Sequence, residues 1–141
     1  MVLVLLGILS AIAIPSFVNF STDARSAVTT EKLGVLKSAI IGDGRRATAG
    51  RPTNLGYERN CNAVPTTLAD LITQPVAGVC AAAYNPFTKR GWRGPYVSNT
   101  DANYNRDGWG TLIVYSTSPR TLTSWGPNKI SGGGDDIALT Y

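Results

Sequence analysis

From Met1 to Thr22 the chain carries no charged side chain. Residues Met1–Phe20 read MVLVLLGILSAIAIPSFVNF. A helix needs roughly 20 predominantly apolar residues to cross the hydrocarbon core of a bilayer, and this segment just reaches that length. A secretory signal peptide would need a basic start and a small-residue cleavage site, and no Lys or Arg precedes the apolar run. A buried core helix would need a protein large enough to surround it. A helix that is apolar on every face belongs in a membrane or inside an assembly, and that is the expectation here. Gly7 and Pro15 interrupt the run. Pro15 removes one rung of the hydrogen-bond ladder and crowds the preceding turn. A plain anchor has no use for such a weakness, whereas a helix that melts locally or bends against neighbours does.

The apolar run continues into STDARSAVTTEKLGVLKSAIIGDGRR, which has helical periodicity. Ala24, Val28, Val35 and Ala39 share one stripe, with Leu33, Leu36 and Ile40 beside it. Asp23, Arg25, Glu31, Lys32 and Lys37 lie largely off it. One helix is therefore predicted from near Met1 to about Asp43, roughly 60 Å long at 1.5 Å per residue. Its first half is apolar all round. Its second half is amphipathic and suited to lie across a sheet.

Beyond Thr22 about 120 residues remain, enough for one modest core. Gly42, Gly44, Gly50 and Pro52 are expected to end the long helix. Residues 51–65 read as irregular. Thr66–Thr73, TTLADLIT, reads as a helix of two turns stopped by Gln74-Pro75. Residues 77–93 read as a loop, and RGPYV as a strand ending at Val97. Thr111–Ser116, TLIVYS, has the β-branched enrichment of a strand, and RTLTSW follows Ser118-Pro119 as the second arm of a hairpin. Ile137–Tyr141 reads as a last strand. The fold class is α+β: a long N-terminal helix packed on a small antiparallel sheet. The boundaries are 1–22 for the apolar half-helix and 23–141 for the head. The head divides into the amphipathic half-helix 23–45, a loop region 46–95 and a C-terminal sheet 96–141.

Cys61 and Cys80 are the only cysteines. An even pair on an exported head favours a disulfide over two free thiols or redox chemistry, and the spacing is far from C-x-x-C. It would close a loop of about 20 residues, contributing about 3 kcal/mol in the chain-entropy model. There is no histidine. That removes the Ser–His and Cys–His catalytic arrangements and most zinc sites, and nothing else pairs a nucleophile with a base, so an enzyme is not expected. The formal charge is +4. Seven basic residues between Arg45 and Arg93 (Arg45, Arg46, Arg51, Arg59, Lys89, Arg90, Arg93) face only Glu58 and Asp70. This reads either as a solvated basic face or as the footprint of an anionic partner: nucleic acid, lipid head groups or a neighbouring subunit.

The run GILSAIAIPSF, Gly7 to Phe17, resembles the N-terminal signature of type IV pilins and pseudopilins in its glycine, its alternation of small residues with isoleucine, and its proline. In that family the segment follows a basic leader, a cleavage site, a processed phenylalanine and a glutamate. The present sequence starts inside the apolar run. A truncated chain, a misassigned start and a subunit without those residues are the three readings, and mass spectrometry of the native protein separates them. GWRGPYV (Gly91–Val97), DGWG (Asp107–Gly110) and SWGPNKISGGGDDI (Ser124–Ile137) are similar to the C-terminal half of the major pseudopilin of type II secretion. Together the resemblances cover about half the chain, and the cysteines lie outside them.

The resemblance implies a pilin-like fold and a calcium loop. Ser124, Asn128, Asp135 and Asp136 match its oxygen-bearing positions, and Ca²⁺ takes six to eight oxygens. Asn128 stands where the family has aspartate, which lowers the ligand charge. Lys129 stands where it has glycine and either folds outward or pairs with Asp135 or Asp136. The resemblance further implies a homopolymer assembled through the N-terminal helix, with Gly7, Pro15 and Phe17 in the assembly segment. The subunit would rest in the bacterial inner membrane before assembly, then in a periplasmic or cell-surface filament. An assembly platform and a separate motor protein would be its partners, because the chain has no Walker-type glycine loop. A type II secretion pseudopilus that drives protein export is the expectation. The alternatives are a type IV pilus subunit for adhesion, motility or DNA uptake, with nucleic acid as a partner, and an anchored binding module that never polymerises. A redox filament is disfavoured by an aromatic content of 9% and the lack of a C-x-x-C-H haem motif.

Overall fold

The computed structural model describes the backbone of residues 2–48, 51–100 and 102–141, and side chains in 20–43, 55–100 and 102–141. The architecture is α+β. Helix α1 runs from Val2 to Ile41 without a break. Strands β1 (Asp43–Thr48) and β2 (Arg51–Asn54) form an antiparallel pair, with Thr48 opposite Arg51 and Asp43 opposite Asn54. Helix α2 spans Gly56–Cys61, and a single 3-10 turn spans Leu68–Leu71. Strands β3 (Val114–Thr117), β4 (Arg120–Ser124) and β5 (Ile137–Thr140) form an antiparallel sheet in the order β3-β4-β5.

α1 stops at Ile41 because Gly42 takes φ +90°, which glycine adopts without Cβ strain. The buried face of α1 is Thr29, Leu33, Leu36, Ala39 and Ile40. This departs from the predicted stripe. Val28 and Val35 are 44% and 51% exposed, and Ala24 is exposed as well. Two apolar rows run side by side on this helix. The longer side chains of Leu33, Leu36 and Ile40 take the core and turn the valines outward. They pack with Tyr57, Leu71, Val97, Ile113, Leu122 and the bonded pair Cys61–Cys80.

Residues 51–65 are not irregular, because β2 and α2 lie there. A helix of six residues is too short to show periodicity, and tertiary packing holds it. Tyr57 and Cys61 bury into the core, and Asn62 closes the helix in the left-handed conformation at φ 57°. A Cβ on Gly56 would lie 2.2 Å from the backbone nitrogen of Gly42, so α2 butts directly onto the end of α1. The predicted two-turn helix at 66–73 is one 3-10 turn. The Asp70 carboxylate accepts the N–H groups of Thr66 and Thr67 at 2.8 and 3.1 Å, which caps the turn. RGPYV is not a strand. Pro95 has no N–H to give a ladder. The segment is instead anchored by Tyr96 N–H donating to Leu71 O at 2.7 Å, and by Tyr96 packing edge-on against Tyr57 and Trp92.

The hairpin lies where the turn signal placed it, with Thr117 opposite Arg120 across Ser118-Pro119. The first arm begins at Val114 rather than Thr111, because Leu112 makes an isolated bridge to Arg106. The last strand pairs with β4, Ser124 opposite Ile137. Among the described residues no helix is long and apolar enough to cross a membrane. The predicted membrane-spanning half, with Gly7, Pro15 and Phe17, lies outside the residues whose side chains are described.

Candidate functional site

Two neighbouring features converge where α1 meets the C-terminal sheet. The first is a buried polar junction. The Thr29 hydroxyl, fully buried on α1, donates to Arg25 O one turn back at 2.8 Å and accepts the N–H of Gly108 at 2.9 Å. Gly108 is required at this contact, since a Cβ there would lie 2.5 Å from Arg25 O. Its neighbour Asp107 is 3% exposed. One carboxylate oxygen accepts the N–H groups of Trp109 and Thr111 at 2.9 and 2.8 Å. The other accepts the Ser124 hydroxyl at 2.6 Å. Ser124, itself fully buried at the end of β4, also accepts the N–H of Gly126 at 3.2 Å. A buried carboxylate needs such a set of donors, because desolvation of the charge is otherwise costly. DGWG is thus a turn that folds around its own aspartate and docks on the helix through its glycine.

The second feature is the loop from Trp125 to Asp136. Asn128 and Asp135 clasp each other across it. The Asn128 amide Nδ2 donates to Asp135 Oδ1, and the Asn128 backbone N–H donates to Asp135 Oδ2 at 3.1 Å. Asp136 Oδ2 accepts the N–H of Gly132 at 2.9 Å, while Asp136 Oδ1 is buried with no hydrogen-bond partner. Gly132, Gly133 and Gly134 all hold positive φ, near 90°, which lets the loop fold back on its acids. Of the four predicted ligands, the structure joins Asn128 to Asp135, and Asp136 meets the same loop through Gly132. The Ser124 hydroxyl donates to Asp107. Among the described residues Lys129 forms no salt bridge and is exposed, and no three His, Cys, Asp or Glu side chains gather as a metal cluster. The oxygens that suit a hard cation are those of two carboxylates, the Asn128 amide and the Gly-rich backbone. The unpartnered Asp136 Oδ1 is the observation that fits one.

Thr29, Asp107 and Gly108 were missed by sequence reasoning as a site. The only signal was a threonine on a stripe of aliphatic residues, which becomes informative once a turn glycine is known to face it.

A further set of polar and aromatic contacts holds the sheet. Arg120 pairs with Glu58 and lies over the Tyr141 ring, 5.1 Å from its centroid. Tyr141 stacks on Tyr115, whose hydroxyl donates to Pro65 O at 2.7 Å. Burial, then the hydrogen bond with Tyr141, raises the Tyr115 phenol well above its ordinary range. Burial, then the negative charge of Asp70, pushes Tyr57 up to about 12. No protein-family model matches the chain, and neither a curated protein nor a solved structure matches it.

Proposed function

We propose that the chain is a structural subunit of a type IV pilin-like filament, most closely of the kind that forms the pseudopilus of type II secretion and drives protein export. The reading rests on the chain's own motifs, GILSAIAIPSF at one end and DGWG with SWGPNKISGGGDDI at the other. The observation that supports it best is the single helix Val2–Ile41. It joins a charge-free start to a head whose core packs on its last turns. In this reading the helices bundle into the filament core and the heads coat it. Burial of the apolar halves among identical copies is the main driving force. Head-to-tail contacts that do not close generate an open helical filament rather than a ring. Before assembly the apolar half rests in the bacterial inner membrane. A platform and a separate motor protein add subunits, and the product is a periplasmic or cell-surface filament.

Calcium belongs to the same reading. Asn128, Asp135 and Asp136 would hold the ion, while the Ser124 hydroxyl donates to Asp107. Bound there, it would neutralise two adjacent carboxylates at the entrance to β5 and so fix the loop that positions that strand. The test of the filament is electron microscopy of cells overproducing the protein with its native N-terminus. Filaments labelled by an antibody to the head are expected. Their absence, with the protein present and folded in the membrane fraction, would sink the proposal and leave an anchored module that does not polymerise.

A further inference from the structure

The tip of the turn formed by residues 85–90, Asn-Pro-Phe-Thr-Lys-Arg, is unlike the rest of the surface. Asn85 and Arg90 close it, with Asn85 N–H donating to Arg90 O at 2.7 Å, and the Asn85 side chain accepts the N–H groups of Phe87 and Thr88. These bonds hold Phe87 at the apex with 93% of its surface exposed. Lys89 and Arg90 follow it, both exposed. Gly91 N–H donates to Asn60 O at 3.0 Å, which brings exposed Arg59 of α2 beside the base of the turn. Arg93, exposed on the return, lies 4.9 Å from the centroid of the Tyr84 ring. The two acids of this part of the chain do not offset these charges. Glu58 is paired with Arg120, and the Asp70 carboxylate caps the 3-10 turn.

An exposed aromatic ring on a turn that also carries exposed cations, none in a salt bridge among the described residues, combines two elements that recognise single-stranded nucleic acid: a π-face on which an unpaired base stacks, and charges that contact phosphates. A lipid surface would use the same cations. However, the tip sits against α2, which butts onto the C-terminal end of α1. The charge-free stretch of α1 ends at Thr22, about 28 Å of helix before Ile41, which sets the tip apart from a bilayer holding that stretch. A soluble polyanion with unpaired bases fits both elements. We propose that Phe87, Lys89, Arg90, Arg59 and Arg93 form a binding site for single-stranded nucleic acid. This site does not depend on the filament reading.

The test uses the full chain in neutral detergent and a fluorescent oligothymidylate of about 20 nucleotides, with anisotropy followed from about 50 to 200 mM salt. Four cations on phosphates predict a slope of log K against log salt between about −2 and −3, at about 0.7 per phosphate on a single strand. The double variant Lys89→Ala/Arg90→Ala should flatten that slope by about 1.4. Phe87→Ala should weaken binding about 5- to 100-fold and leave the slope unchanged, because stacking releases no counterions. Both changes are at exposed side chains, so an unchanged melting temperature checks that the fold is intact. Any of three results would overturn the proposal: no binding at low salt, a Phe87→Ala variant that binds as the parent does, or binding to anionic phosphatidylglycerol vesicles in preference to the oligonucleotide. Duplex DNA bound as tightly as the single strand would overturn it too.

Discussion

Asp107 is the residue whose removal should cost the head most for the fewest atoms lost. Its carboxylate is 3% exposed and accepts from Trp109 N–H, Thr111 N–H and the Ser124 hydroxyl. Asp107→Ala leaves all three donors without their acceptor in a site closed to bulk water. A hydrogen bond to a charged group contributes about 1.5–3 kcal/mol, and an abandoned buried donor costs about 1–3 kcal/mol. The gross sum is reduced because the charge no longer has to be desolvated and the loop relaxes, so the expected loss is about 3–5 kcal/mol. Against a typical domain stability of about 5–15 kcal/mol that is a large share. Asp107→Asn keeps one acceptor for the two backbone N–H groups and lets the Ser124 hydroxyl turn to accept, so it should cost only about 1–2 kcal/mol. Urea unfolding followed by tryptophan fluorescence, with linear extrapolation and a check that the m-value is unchanged, reads both numbers. A double-mutant cycle with Ser124→Ala should show a coupling of about 1–2 kcal/mol. A loss below about 1 kcal/mol for Asp107→Ala, or equal losses for the Ala and Asn variants, would refute the idea that a desolvated carboxylate organises this corner.

Gly108→Ala pushes a Cβ to 2.5 Å from Arg25 O and should cost about 1–3 kcal/mol by forcing the turn off the helix, read by the same unfolding assay; Gly110→Ala, where no atom lies within 4 Å of a built Cβ, should show only the strain of its positive φ. Tyr57 has a folded pKa of about 12 against an ordinary value of 10.0. Its contribution to stability is therefore complete below about pH 10 and is lost as pH rises toward about 12, at up to about 1.4 kcal/mol per pH unit. A Tyr57→Phe variant should lose less stability than the parent between about pH 10 and 12 in denaturant titrations, and parallel curves would contradict the assignment. Removing calcium with a chelator should lower the melting temperature of the parent but not of Asp136→Asn. No shift in the parent would sink the metal part of the proposed function.

What was legible in the sequence was local. The extent of α1 could be read because Gly42 and the loss of periodicity fall together. The β3–β4 hairpin could be read because Ser118-Pro119 sits between two β-branched runs. The choice between the Val28/Val35 row and the Thr29/Leu33/Leu36/Ile40 row could not, since both are apolar at helical spacing and only the shape of the facing sheet decides. α2 was illegible because its stability comes from Tyr57, Cys61 and the Gly56–Gly42 contact rather than from its own sequence. The Thr29–Gly108 bond joins residues 79 positions apart, and the Ser124–Asp107 bond residues 17 apart, so no window along the chain contains either. The Ser124 hydroxyl's partner was out of view for that reason. That partner lies outside the motif.

Three contacts on α1 fix its position along its own axis. Thr29 meets Gly108, the Lys32 ammonium donates to Arg106 O at 2.9 Å, and the Lys37 ammonium donates to Thr140 O at 2.8 Å. A slip by one helical turn would displace every one of them by about 5.4 Å and drive the Gly108 backbone into a side chain. The helix cannot slide through the head like a piston in a sleeve. It behaves as a keyed shaft. Any push, pull or twist that reaches Thr29 passes directly to the head through the Gly108 contact.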